Sequence, residues 1–158
     1  MRAVFQRVRA AAVTADGVPA GEIGQGALLL LGVREGDGEA QADRLARKCA
    51  ELRVFSDESG RMNRSLLDTG GGALVVSNFT LYGSCAHGRR PEFLRAARPE
   101  HARPLVDRFI AQLRACGVNR VEAGVFGADM QIAMEADGPV TLLLDTDEWE
   151  HRAGETTG

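Results

Sequence analysis

Ala27-Leu28-Leu29-Leu30-Leu31-Gly32-Val33 is the longest apolar run of the chain, and its reading decides the fold. It is bounded by Gly26 and by Gly36-Asp37-Gly38. A run this short cannot stand as a helix, and a strand open to water on one face would alternate apolar with polar residues. The stretch therefore reads as a central strand buried on both faces. Residues 39–52 follow with Ala42, Leu45, Ala46, Cys49 and Leu52 at helical spacing and charges on the other side. That pattern predicts an amphipathic helix laid over the sheet.

Upstream, Met1–Val13 reads as strand, with Val4, Gln6 and Val8 on one parity and Phe5, Arg7 and Arg9 on the other. A β-rich continuation runs to Thr14 before the turn signal Asp16-Gly17. Downstream, Arg53–Ser56 is a short strand candidate, and Gly70-Gly71-Gly72 delivers the chain into the apolar run Ala73–Leu81. Leu105, Val106, Phe109, Ile110 and Leu113 form a helical stripe that ends at Cys116-Gly117, its start placed between Pro99 and Pro104. Three β-like segments close the domain, at 120–126, 130–136 and 139–144. The expected class is α+β: a β-rich single domain over residues 1–145, with antiparallel and mixed sheets covered by two main helices. Residues 146–158 read as a disordered acidic tail, because the five acidic residues from Asp145 onward face only Arg152.

The 158 residues suffice for one domain, and 44% hydrophobic with 26% charged residues is the composition of a chain that buries a core. A net charge of −3 excludes a generally basic protein that coats nucleic acid, so any basic face must be local. Lys48 is the only lysine, which excludes most lysine-based mechanisms. No run approaches the ~20 apolar residues that span a bilayer. Three widely spaced cysteines, Cys49, Cys85 and Cys116, argue against a disulfide framework. A cytoplasmic protein without membrane contact is expected.

The usual catalytic signatures are missing: there is no phosphate loop ending in Lys-Ser/Thr, no Gly-x-Ser-x-Gly, no His-Glu-x-x-His and no Cys-x-x-Cys. Three histidines and three cysteines are too scattered for a closed metal site, so neither metal nor cofactor is expected. Cys85-Ala86-His87 could supply thiolate and imidazole, although sequence neighbours rarely face each other. Ser77-Asn78-Phe79-Thr80-Leu81 is different, because it sets polar residues at the end of an apolar strand. They could form a pocket floor whose hydroxyls and N–H groups face a reacting carbonyl, or they could be bonded to backbone at a strand end. Gly138-Pro139 lies between two predicted strands and reads as a tight hairpin, a cis bond occurring at only roughly 5–6% of X–Pro positions. From Arg89 to Arg103 five arginines face Glu92 and Glu100, an excess that suits either a solvated helix face or phosphates.

Taken in order, these stretches resemble the D-aminoacyl-tRNA deacylases, which remove wrongly attached D-amino acids from tRNA. The resemblance runs from Met1 to about Leu144. It is carried by Gln6-Arg7-Val8, Gly21-Glu22-Ile23-Gly24, Phe55-Ser56-Asp57 with Met62-Asn63, Ser77-Asn78-Phe79-Thr80-Leu81, Gly88-Arg89-Arg90-Pro91, Ala128-Asp129-Met130-Gln131 and Asp137-Gly138-Pro139-Val140-Thr141. It implies a barrel-like homodimer whose pockets are each completed by the partner's Gly138-Pro139 turn, with that bond cis and Arg7 bracing it. The turn's carbonyls would exclude L-aminoacyl groups while D-residues and glycine fit, a specificity built on rejection. Ser77, Asn78, Phe79 and Thr80 would surround the aminoacyl group, with Met130 in the same pocket. The 2′-hydroxyl of the terminal adenosine would help activate water, and Arg89 and Arg90 would meet the tRNA. The family usually has Gln where Asn78 stands and Asn where Ala136 stands. The alternatives are a deacylase for a misattached small L-amino acid, which a trans Gly138-Pro139 bond would favour, and a tRNA-binding module of the same fold without turnover.

Overall fold

The computed structural model describes residues 1–149. β1 (Arg2–Ala15) is the axis of the sheet. One edge pairs antiparallel with β3 (Gly26–Gly32) over its first half and with β2 (Val18–Ile23) over its second. Its other edge pairs with β8 (Met130–Asp145) from Arg2↔Asp145 to Ala15↔Met130. β3 continues in parallel to β6 (Gly72–Ser77), and β6 in parallel to β7 (Val121–Ala123). β2 comes back against β7, where a Cβ added at Gly21 would stand 3.1 Å from the Ala123 carbonyl, so the mixed sheet is nearly closed into a barrel.

The 27–33 run is central as expected, because β3 sits between β1 and β6 and sends alternate side chains to two cores. Ala27, Leu29 and Leu31 join Phe5, Ala73 and Val75 beneath the helices α1 (Glu39–Glu51) and α3 (Pro99–Ala115), against Leu45, Cys49, Phe109 and Leu113. Leu28 joins Val8, Ala11, Val13, Ile23, Leu74 and Val76 inside the barrel. The strand starts meet so closely that a Cβ at Gly26, whose φ is +158°, would lie 1.9 Å from the Gly72 carbonyl oxygen; only glycine fits. Asp43 of α1 receives two hydrogen bonds of 2.7 Å from Arg108 of α3, which locks the two helices together.

Several expectations are corrected. The two strands expected at 130–136 and 139–144 are one strand, because β1 offers an unbroken partner. Gly138-Pro139 is therefore a bulge and not a hairpin: between the pairs Gln6↔Thr141 and Val8↔Ala136, residues 137–140 stand opposite Arg7 alone. The Gly138-Pro139 bond is cis. The 73–81 run stops being strand at Ser77 and enters a 3₁₀ turn, Phe79–Tyr82. The segment 120–126 is strand only from Val121 to Ala123. α3 starts at Pro99, whose missing N–H has no intrahelical acceptor anyway, and carries Pro104 inside. β4 (Phe55–Ser56), β5 (Met62–Arg64) and α2 (Leu66–Thr69) complete the described elements.

The start of the expected tail is packed. Thr146 is buried, its N–H donates to the Met1 carbonyl at 2.9 Å, and its hydroxyl accepts from the Met1 ammonium at 2.6 Å. That ammonium also pairs with buried Asp37 at 2.8 Å. Trp149 lies under Arg44 and Lys48, whose charges stand 5.1 and 5.9 Å from its ring, an apolar anchor that outweighs the acidic composition. Residues 150–158, the rest of that tail, lie outside the described residues.

Candidate active site

β3 and β6 end side by side at Leu31↔Ser77, and the Asn78 N–H closes the pair by donating to the Leu31 carbonyl at 2.8 Å. The chain then folds into the 79–82 turn, tightened by bonds from Leu81 N to Asn78 O (3.3 Å) and from Gly83 N to Thr80 O (2.9 Å). The N–H groups of Phe79 and Thr80 lead this turn, where donors have no intrahelical acceptor. Among the described residues neither has a hydrogen-bond partner. The Thr80 hydroxyl donates to the Asn78 side-chain oxygen. An amide oxygen is not a base, so nothing here withdraws that proton to make Thr80 a nucleophile.

This turn forms one wall of a cleft of about 890 Å³. Ser77, Asn78, Phe79, Thr80 and Met130 all line it, so the sequence-predicted strand end and Met130 meet in one site. The remaining walls are chiefly apolar, from Leu30, Val76, Phe126 and Ile132. Phe79 is 59% exposed and packs edge-on against Phe93, with ring centroids 5.1 Å apart at 71°. An apolar cleft with a few polar groups at one end is the usual form of a small-ligand site.

Arg2 holds the back of the turn, and no sequence signal singled it out. It donates to the Leu81 carbonyl at 2.8 Å, pairs with Asp145 at 2.8 Å and stacks 4.6 Å from the centre of the Tyr82 ring. Burial, with Asp37, Asp145 and Asp147 nearby, pushes the Tyr82 hydroxyl up, so it stays protonated. The 79–82 turn and the end of β8 are thus tied by one guanidinium.

Arg7, Gly138 and Pro139 do not line the cleft of their own chain. Arg7 fills the bulge: it donates to Asp137 O at 3.1 Å and Val54 O at 2.6 Å, and its Nε lies 3.3 Å from the Asp137 carboxylate. Gln6 brackets the bulge, accepting from the Thr141 hydroxyl at 2.6 Å and donating to Val140 O at 3.3 Å. Arg89 and Arg90 are exposed beyond Gly83. Cys85 and His87 are exposed without a bond between them, burial pushes the Cys49 thiol well up, and no cysteine is among the residues that line the cleft.

A profile of the family described as D-Tyr-tRNA(Tyr) deacylase matches residues 4–145. The chain belongs to this family. It is 60% identical over 148 residues to a D-aminoacyl-tRNA deacylase of Thermomicrobium roseum, covering 94% of this chain and 96% of that one. It is 55% identical over 148 residues to the D-aminoacyl-tRNA deacylase of Thermus aquaticus, covering 94% and 97%. Among solved structures it resembles the c-Myc DNA Unwinding Element Binding Protein, with TM-score 0.86 and 39% identity over 92% of this chain and 98% of that one. A probable eukaryotic D-amino acid tRNA deacylase shares the fold at 18% identity, with TM-score 0.78 over 91% and 98% of the two chains. Family membership makes the chain a hydrolase of the aminoacyl ester, with tRNA as the substrate it implies. No helix among the described residues is long and apolar enough to cross a membrane.

Proposed function

We propose that the cleft takes the aminoacylated 3′ end of tRNA in the cytoplasm and hydrolyses D-aminoacyl and glycyl esters as a chiral proofreading step. The observation that carries this reading is the pair of unpartnered N–H groups on Phe79 and Thr80 at the polar end of an apolar cleft. With the ester carbonyl there, they would hold the oxyanion formed when water adds to the carbonyl carbon. The substrate's own 2′-hydroxyl activates that water. The ester C–O bond then breaks, the 3′-oxygen takes one of the water's two protons, the other passes to solvent, and the amino acid leaves as its carboxylate. Asn78 holds the Thr80 hydroxyl aside, which favours water over a covalent acyl-threonine.

The L-amino acid would be excluded by the Gly138-Pro139 bulge of a second copy. Support for a homodimer comes from β8, which pairs only with β1 among the described residues. It exposes Ile132, Met134 and Leu143 at 39%, 51% and 73%. A long apolar edge strand is a surface that proteins cover. The deciding experiment is release of amino acid from matched D-, L- and glycyl-tRNA by catalytic amounts of the protein. Cleavage of the D and glycyl esters with L spared is expected. Equal cleavage of the L ester removes the chiral reading, and no cleavage above the spontaneous rate removes the enzyme.

A further inference from the structure

Ser84 and Glu92 exchange backbone hydrogen bonds of 2.8 and 3.0 Å, closing residues 85–91 into a hairpin. One limb leaves from the 79–82 turn and the other returns to Phe93, whose ring rests on Phe79. The hairpin carries Arg89 and Arg90. At ~3.3–3.6 Å per residue, four steps keep Arg89 within roughly 14 Å of Phe93 and the cleft mouth. Farther along, Arg98 lines the cleft itself, and Arg103 lies 4.8 Å from the centre of the Phe126 ring, another wall of the cleft. All four arginines are exposed.

Most arginines elsewhere in the molecule are engaged. Arg2, Arg7, Arg9, Arg34, Arg95, Arg108 and Arg120 each stand within 4.0 Å of a carboxylate. Arg53, Arg64 and Arg114 donate to backbone carbonyls. Among the described residues seven arginines do neither, in a chain with 22 acidic residues against 19 basic ones: Arg44 stacks on Trp149, Arg47 stands on α1 where its charge acts on Asp43, Arg61 lies in the turn capped by Asp57, and Arg89, Arg90, Arg98 and Arg103 gather at the cleft mouth. Glu92 and Glu100 are close in sequence yet pair with none of them. Carboxylates are not scarce, so the four forks are left open together at one mouth. A guanidinium fork matches a phosphate bidentately.

We propose that Arg89, Arg90, Arg98 and Arg103 form a phosphate-binding rim that grips the single-stranded 3′ end of the tRNA and threads its aminoacyl-adenosine into the cleft. This rests on the deacylase reading and adds to it the part of the substrate that the rim holds. The test compares kcat/KM against salt for D-aminoacyl-tRNA and for a D-aminoacyl-adenosine ester that carries no phosphate. Each single-strand phosphate contact contributes a slope of about −0.7, so four contacts cost about 50-fold between 50 and 200 mM salt. Arg89→Gln/Arg90→Gln should reduce that loss to about 7-fold, and the adenosine ester should show little salt dependence. Arg89→Lys/Arg90→Lys should keep the slope while weakening binding, since a point charge replaces the fork. An unchanged slope in the Gln variant, or the same slope on both substrates, overturns the rim. If neither ester is hydrolysed the deacylase reading fails by itself, and the same slopes read from binding of uncharged tRNA still decide the rim.

Discussion

Replacing Arg2 by Met separates the fold from the geometry of the 79–82 turn. The side chain keeps its apolar stem but loses its pair with Asp145, its bond to Leu81 O and its stack on Tyr82. Removing one partner of a buried pair costs about 3–5 kcal/mol. Here the two side chains are 28% and 11% exposed, so solvent screening reduces that to roughly 2–3 kcal/mol. At ~2–4 °C per kcal/mol for a chain of this size, Tm should fall by about 5–10 °C. The Leu81 carbonyl is one residue from Thr80, and a misplacement of about 1 Å at a reacting group can cost ~100-fold. At a temperature where the variant is folded, turnover should therefore slow by about one to two powers of ten, while KM for tRNA changes by less than about threefold. A double variant, Arg2→Met/Asp145→Leu, should regain most of the melting temperature, because an apolar pair can replace a buried ion pair at little cost. It should not regain the turnover rate, because Leu81 O still lacks its donor. Thermal melts with single-turnover hydrolysis of D-aminoacyl-tRNA measure both. A double variant that restores turnover along with Tm would show that Arg2 supports only the fold and would refute the argument.

Thr80→Ala removes a hydroxyl already committed to Asn78 and should leave turnover within about tenfold of wild type; a folded variant with no activity would return the hydroxyl to the role of nucleophile. Arg7→Ala strips the 137–140 bulge of its donors to Asp137 O and Val54 O, and should raise hydrolysis of L-aminoacyl-tRNA relative to D; an unchanged D/L ratio would detach the bulge from selection. Stability should decline on acidification. Hydrogen bonds from Arg108 hold the Asp43 carboxyl below its ordinary 3.8, and the Ser65 N–H and hydroxyl do the same for Asp68. A carboxylate whose folded pKa is depressed contributes stability above its unfolded value and loses it as pH falls through the folded one. Urea midpoints should therefore drop below about pH 4, and Asp43→Asn should flatten the profile there; a midpoint as steep in that variant as in wild type would contradict the assignment.

The parts of this fold that were legible are those where burial dictates composition. β3 needs apolar side chains on both faces, and α1 and α3 need one apolar stripe each, so their sequences carry the periodicity openly. β2 was not legible, because Val18-Pro19-Ala20-Gly21-Glu22-Ile23 is poor in strand formers and becomes a strand only where the second half of β1 offers it an edge. The unity of β8 was hidden for the opposite reason: Gly138-Pro139 is a strong turn signal, yet pairing resumes beyond a bulge that Arg7 fills and Gln6 brackets. In the cleft, Ser77 to Thr80 could be read from polar residues placed where an apolar strand should continue. Phe93 and Arg98 could not, since they reach the cleft only through the 85–91 hairpin and the start of α3. Trp149 was read with the acidic residues around it, yet one indole beside Arg44 and Lys48 of α1 holds the chain against the domain.

At its 79–82 wall the cleft offers an ester carbonyl backbone donors, and this bears on Asn78. Its N–H is spent on Leu31 and its amide oxygen on Thr80, so neither faces the cleft as a free group. Among the donors that remain are the N–H groups of Phe79 and Thr80, which any residue but proline would supply. One oxyanion donor is worth about 2.7–4 kcal/mol, so two correctly placed give several powers of ten on an ester that is already activated. Their direction depends on the turn, and the turn is held by Asn78 to Leu31 in front and by Arg2 to Leu81 behind. A shorter amide where the family usually has Gln is then compatible with turnover, provided it still closes β6 onto β3. Substitutions that leave every cleft side chain intact but release either end of the turn should be the more damaging ones.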